Sequence, residues 1–254
     1  MNFFSRTFDS KYINIFPVGD LHYGSPQCEN RYVRHVVSLI KADQKGYWVG
    51  MGDLMENAII GSKSDVYTQT RTPKEQIADL TKMFMPIKDK CLFMIGGNHE
   101  QRTMRVAGIA PDELIASNLD VPYMGFSCYA YLFMNSKTPN GFKCYFHHRP
   151  RRKSDPRPLR DIAPTADAIF VGHHHETARK PVIWFDVSDK NILRKVGYNY
   201  QIGSTISWNE SYAEEKAFAP ASVELLRVTL AGSTCGKYDS RVQTYTPILW
   251  DGRS

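Results

Sequence analysis

The stretch Tyr12-Ile13-Asn14-Ile15-Phe16-Pro17-Val18-Gly19-Asp20-Leu21-His22 decides how the chain is read. Its first seven residues carry no charge and are mostly apolar, as in a strand buried in a sheet. The run breaks at a glycine, and a carboxylate and an imidazole follow. The pattern returns twice. Tyr47-Trp48-Val49-Gly50-Met51 runs into Gly52-Asp53, and Cys91-Leu92-Phe93-Met94-Ile95 runs into Gly96-Gly97-Asn98-His99. The first interval holds a helical pattern with Val33, Val36, Val37 and Ile40 on one face. The second holds Thr72-Pro73-Lys74-Glu75, a capping box with proline at the first helical position. The helix it opens aligns Ile77, Leu80, Phe84 and Ile87. Strand, helix, strand, helix, strand predicts an α/β sheet with ligand-binding groups at the carboxyl ends of the strands.

The second half is richer in strands. Tyr129 to Asn135 and Phe142 to Phe146 flank Pro139-Asn140-Gly141, a hairpin signal. Ala168 to Val171 is a further strand, ending in Gly172-His173. Val182 to Phe185, Val196 to Ile202, Val223 to Leu230 and Val242 to Tyr245 complete the set. No repeat and no Pro/Gly/Ser linker divides the chain, so one α/β domain over residues 1–254 with two sheets is expected.

Composition limits the function. The 254 residues are 42% hydrophobic and 23% charged, which excludes a disordered or collagen-like chain. A net charge of +6 suits an anionic partner. The start Met1-Asn2-Phe3-Phe4-Ser5-Arg6 has no secretory pattern, and no run approaches the ~20 apolar residues of a membrane span. Cys28, Cys91, Cys128, Cys144 and Cys235 form no CxxC pair, so a reducing, cytoplasmic setting is expected. Asn209-Glu210-Ser211 then matches a glycosylation sequon by chance.

The strand ends gather Asp20 and His22, Asp53, Asn98, His99 and Glu100, His147 and His148, and His173 and His175. Alternate residues of an extended segment point the same way, so Asp20 and His22 can face one point, as can His173 and His175. His174 then points away. An Asp/His/Asn set without cysteine suits a borderline divalent ion such as Mn, Fe, Zn or Ni. Seven or eight such groups exceed the needs of one ion and suggest two, about 3.5–4 Å apart and sharing a carboxylate. Other chemistries fail on spacing. His99-Glu100-Gln101-Arg102-Thr103 is not HExxH, and Gly61-Ser62-Lys63-Ser64 is not a phosphate-binding P-loop. Ser204 has no nucleophile-elbow pattern around it and reads as a turn residue.

Asp20-x-His22, Gly52-Asp53, Gly97-Asn98-His99-Glu100, the strand-borne His147 and Gly172-His173-x-His175 resemble, in order, the motif series of calcineurin-like metallophosphoesterases. The resemblance spans residues 19–175 and extends weakly to Gln201-Ile202-Gly203-Ser204. It implies two facing mixed β-sheets flanked by helices, a four-layer sandwich. It implies that Asp20, His22 and His175 hold one divalent ion, that Asn98, His147 and His173 hold a second, and that Asp53 bridges them. Mn²⁺ is the expected ion, with Fe, Zn or Ni as alternatives. His99 would sit over the scissile phosphate and protonate the leaving oxygen or stabilise charge, with Glu100 orienting it.

Two departures matter. Protein phosphatases of that family follow the second motif with Asp-Arg, and this chain has Leu54-Met55-Glu56-Asn57, which lacks the arginine fork for a terminal phosphate. The fourth motif reads His147-His148-Arg149. His147 is assigned because it ends the strand, with His148 as the competitor. Arg149, Arg151 and Arg152 form a basic, proline-broken loop that is either a solvated surface or a rim that tracks phosphates, and Arg102 and Arg105 share those readings. Tyr67, among other aromatics, is either packing or a base-stacking group. The expected reaction is phosphodiester hydrolysis in nucleic acid. The alternatives are a nucleotide or cyclic-nucleotide phosphodiesterase, a phosphoprotein phosphatase, and a metal-containing nucleic-acid-binding protein without activity. No membrane partner is expected, and the oligomeric state is open.

Overall fold

The structure is a computed structural model that describes residues 2–62, 64–134, 141–148, 157–187, 192–209, 214, 222–232, 234–235, 238–239 and 241–250. In chain order the elements are β1 (Asn2–Phe8), β2 (Tyr12–Val18), α1 (Asn30–Ala42), β3 (Gly46–Gly50), α2 (Pro73–Phe84), β4 (Cys91–Met94), α3 (Glu100–Ala107), α4 (Pro111–Leu119), β5 (Ser127–Met134), β6 (Phe142–His147) and α5 (Arg157–Ile162). They continue with β7 (Ala168–Val171), β8 (Ala178–Val187), β9 (Ile192–Gln201), β10 (Glu224–Ala231), the short β11 (Thr234–Cys235) and β12 (Tyr238–Asp239), and β13 (Val242–Leu249).

Two mixed sheets face each other. The first has the order β13-β10-β2-β3-β4, and the second β1-β5-β6-β7-β9-β8. Strands β2, β3 and β4 are parallel neighbours, and so are β6, β7 and β9. Parallel neighbours end at the same edge, so the loops carrying the polar residues of both sheets meet there.

Side-chain alternation builds the layers. On β2, Ile13 and Ile15 point between the sheets, while Phe16 and Val18 point to the helices. Phe146 lies between Phe93 of the opposite sheet, at 5.2 Å edge-on, and Phe170, stacked at 4.6 Å. Each such buried ring contributes roughly 1.5–3 kcal/mol. Outside the first sheet, Trp48 shares one buried cluster with Val33, Val36 and Ile40 of α1, Leu80 and Phe84 of α2, and Ile115 and Leu119 of α4, and its ring lies 5.0 Å from that of Phe84. Outside the second, Tyr145, Ile169 and Val171 meet Leu159 and Ala163. The result is the expected helix, sheet, sheet, helix order.

The capping box is formed at α2. Thr72 N–H donates to Glu75 Oε2 at 2.8 Å, and Glu75 N–H donates to Thr72 Oγ1 at 3.4 Å. Six elements were not anticipated: β1, α3, α4, α5, β11 and β12. Phe3 is 64% exposed on β1, so that segment owes its extended form to parallel pairing with β5, from Asn2 opposite Cys128 to Phe8 opposite Met134. Strands β8 and β9 run further than the apolar runs suggested. β5 and β6 do pair antiparallel, while Pro139-Asn140 lies outside the described residues. No described helix is long and apolar enough to cross a membrane. Cys28, Cys91, Cys128 and Cys144 are buried free thiols.

Candidate metal centre

Of the seven non-glycine residues with left-handed backbone among those described, five are Asp20 (φ 50°), His22 (φ 48°), Asp53 (φ 47°), His173 (φ 75°) and His175 (φ 57°). Asp20 and His22 therefore converge through sharp left-handed turns, as do His173 and His175, and not through the extended alternation expected from sequence. That backbone region is unfavourable for residues with a Cβ and persists where the surroundings enforce it, typically at functional sites. The enforcement is visible. Asp20 N–H bonds to Gly52 O (3.0 Å), His22 N–H to Asp53 O (3.0 Å), and Thr205 N–H to Asp20 O (3.2 Å). Ser204 Oγ also donates to Asp20 O at 2.9 Å.

Three groups of side chains could each hold a cation, with donor atoms within 4.8 Å of one another: Asp20, His22 and His175; His22, Asp53 and His99; and Asp53, His148 and His173. Asp53 and His22 each belong to two groups, so the three form one continuous centre. Asn98 joins it through Oδ1, 3.3 Å from His148 Nε2. His174 enters none of the groups.

The carboxylates are aimed inward. Asp20 Oδ2 accepts His173 N–H at 2.8 Å, and Asp53 Oδ1 accepts His99 N–H at 2.8 Å. The other oxygens, Asp20 Oδ1 and Asp53 Oδ2, are buried without a hydrogen bond among the described residues. Asp20 Oδ1 faces His175 Nε2 at 3.5 Å, and Asp53 Oδ2 faces His148 Nε2 at 3.2 Å and His99 Nε2 at 3.9 Å. Orphaned carboxylate oxygens beside imidazole nitrogens are the surroundings a divalent cation needs, so these residues fit a metal. Burial alone would raise both carboxyls, but His148 above all holds Asp53 well below the usual carboxylate range and draws Asp20 down as well.

His148, and not His147, belongs to this centre. Along β6, Tyr145 and His147 share the outer face, with ring centroids 6.2 Å apart, while Phe146 faces the core between the sheets. His148 follows Phe146 inward. Its Nδ1–H donates to Met51 O at 2.7 Å, which leaves Nε2 directed at Asp53 and Asn98. The period of two was present in the sequence and favours His148 once Phe146 is taken as core.

Glu100 does not orient His99. It is fully buried, and its carboxylate accepts Asp53 N–H (3.0 Å) and Met55 N–H (3.1 Å), tying α3 to the loop after β3. Burial, then Asp53 and Asp112, push Glu100 up to about 8. The residue that sequence reading missed is Glu56, in the stretch noted only for lacking an arginine. Its Oε2 lies 3.3 Å from His22 Nδ1 and 3.8 Å from His99 Nδ1. Despite the opposing effect of burial, Glu56 raises His22, and His22 lowers Glu56. A carboxylate three residues beyond Asp53 was the available signal.

Arg102 is brought to the centre, with Nη2 2.8 Å from His99 Nε2. Arg105 is not: it is exposed and, among the described residues, reaches only Gln101 Oε1, at 3.4 Å. Arg149, Arg151 and Arg152 lie outside the described residues. Tyr67 is 97% exposed on the loop after β3.

A scan against protein-family models finds no match, and a search of curated proteins finds none. Among solved structures, the chain matches a conserved uncharacterised protein of Streptococcus pneumoniae TIGR4, a predicted phosphoesterase, at TM-score 0.39 and 11% identity, covering 93% of this chain and 98% of that one. The functional reading therefore rests on the centre itself.

Proposed function

We propose that this chain is a dinuclear metal-dependent phosphoesterase that hydrolyses phosphodiester bonds, with nucleic acid as the substrate class. The observation that carries the reading is the continuous Asp/His centre, in which Asp20 Oδ1 and Asp53 Oδ2 are buried, without a hydrogen bond among the described residues, and aimed at imidazole nitrogens. Asp20, His22 and His175 would hold one divalent ion, with Mn²⁺ the first to test. Asn98, His148 and His173 would hold the other, and Asp53 would lie between them. When bound, such ions polarise phosphoryl oxygens and activate water at neutral pH.

The protein's own part is positioning. Met51 O fixes His148 so that Nε2 faces inward, and Glu56 does the same for His22. Main-chain N–H groups hold the outer carboxylate oxygens and leave the inner ones free. The net charge of +6 favours an anionic polymer, and the basic stretch of sequence containing Arg149, Arg151 and Arg152 would track its backbone.

The test is turnover of an aryl phosphodiester against the matching monoester after chelation and return of Mn²⁺. Faster diester turnover, abolished together with metal binding in Asp53→Asn, is expected. Faster monoester turnover would overturn the diester assignment, and no turnover of either would overturn the phosphoesterase reading.

A further inference from the structure

We infer that Arg102 delivers the positive charge to the substrate phosphate in this chain, and that His99 positions Arg102 instead of donating a proton to the leaving oxygen. The inference rests on the phosphoesterase reading above and assigns the flank of the centre that the metal ligands leave open.

The hydrogen bonds of His99 settle its tautomer. Nδ1 lies 2.7 Å from Glu56 O, and a carbonyl oxygen only accepts, so Nδ1 carries the proton. Nε2 lies 2.8 Å from Arg102 Nη2, and a guanidinium only donates, so Nε2 accepts. Nε2 is also the nitrogen that faces the centre, 3.9 Å from Asp53 Oδ2. A proton donor needs hydrogen on that atom, and here the arginine N–H takes its place. Asn57 Nδ2 secures the main chain behind the ring by donating to His99 O at 2.6 Å.

Arg102 is held as a tool would be. Its Nη1 donates to Glu56 O (3.1 Å) and Ser64 Oγ (2.9 Å), and the Glu56 carboxylate lies 3.9 Å away. Among the described residues, one Nη2 hydrogen and the Nε–H have no partner and remain for an anion. The side chain is 19% exposed, so its charge is only weakly screened, and a guanidinium keeps its proton at any working pH. The stretch after Asp53 has no arginine of its own, and Arg102 reaches that stretch from α3.

In this arrangement a water oxygen forms the new bond to phosphorus and gives up its proton to solvent, while the bond from phosphorus to the leaving oxygen breaks with its electron pair on that oxygen, which takes a proton from solvent. Arg102 offsets the charge on the phosphoryl oxygens meanwhile.

The experiment uses the Mn²⁺-loaded protein and aryl phosphodiesters whose leaving phenols range from strongly to weakly acidic. The expected result is that His99→Ala lowers kcat/KM by the same factor for every phenol. Arg102→Ala should lower it by about 10²–10³-fold and weaken inorganic phosphate binding, read by calorimetry, by about 10-fold or more. Arg102→Gln, of similar reach but uncharged, should behave like Arg102→Ala while keeping its full complement of Mn²⁺, which separates loss of charge from loss of the centre. A His99→Ala defect that grows as the phenol becomes less acidic would make His99 the proton donor and overturn the inference. Unchanged phosphate affinity in both Arg102 variants would overturn it as well. Wild-type protein that turns over no ester is a different failure, that of the phosphoesterase reading.

Discussion

His22 Nε2 and His175 Nε2 stand 3.0 Å apart, on loops 153 residues distant in sequence. His22 Nδ1 faces the Glu56 carboxylate at 3.3 Å, which only accepts, so a neutral His22 presents a lone pair at Nε2. Asp20 Oδ1 lies 3.5 Å from His175 Nε2. Two imidazole nitrogens and a buried carboxylate oxygen so placed are held together by a shared proton or by a cation.

Replacing His175 tests which it is. His175→Ala removes one ligand of this group and leaves Asp53, His148 and His173 in place. Bound Mn²⁺, counted by elemental analysis after gel filtration, should fall from two equivalents to one. Two equivalents retained would exclude His175 as a ligand.

Glu56 should matter through His22. Glu56→Gln keeps the shape and loses the charge that fixes the His22 tautomer. Metal affinity or ester turnover should drop about 10–100-fold, the usual effect of removing a carboxylate behind a ligating histidine. Mn²⁺ titration with wild-type affinity would show that Glu56 is only a partner of Arg102.

Gly97 should be irreplaceable for a reason unrelated to flexibility. A Cβ there would fall on Asp53 N and Oδ1, and one on Gly52 would come 2.5 Å from Gly97 N, so the two loops pass backbone against backbone. Gly97→Ala should destabilise the metal-free protein by about 1–3 kcal/mol and abolish Mn²⁺ binding by displacing Asp53. Gly108→Ala is the contrast, since Gly108 (φ +67°) has nothing within 4 Å. It should lower stability by about 1–2 kcal/mol and leave Mn²⁺ binding intact. Thermal melts with and without Mn²⁺ separate the two.

The pH dependence follows from His148. Burial opposes its charge, but Asp53 and then Asp20 outweigh that and raise it from 6.5 to about 10 in the metal-free protein. A folded-state value above the unfolded one stabilises below the unfolded value, and that stability is lost as pH rises through the folded value. Urea midpoints of chelated protein should therefore fall between pH 6.5 and about 10, and His148→Gln should flatten that decline. Because a metal ligand must be deprotonated, Mn²⁺ binding over the same window should release a proton, read as calorimetric heat that varies with the buffer.

Much of this was legible in the chain. Apolar runs that stop at glycine followed by aspartate, asparagine or histidine mark β2, β3, β4 and β7, and strand polarity alone sends their ends to one edge. The α2 start was explicit because a capping box is a local device. His99 and Arg102 stood close in sequence to a motif and were drawn into the site. Elements that depend on distant partners were not legible. β1 is extended because it pairs with β5, more than a hundred residues away, and the lengths of β8 and β9 come from pairing with each other.

The sequence by itself determined which residue types gather at the strand ends, because alternation and chain breaks are local properties of the backbone. Only the tertiary structure decided which atoms of those residues meet. It chose His148 over His147 through the inward face of β6, and turned Glu100 from His99 to the main chain of Asp53 and Met55. It also brought Glu56 behind His22 and bent Asp20, Asp53 and His175 into left-handed turns. Those choices depend on packing between segments far apart in the chain, and the strain they impose on single residues is sustained by contacts that exist only when both sheets are in place.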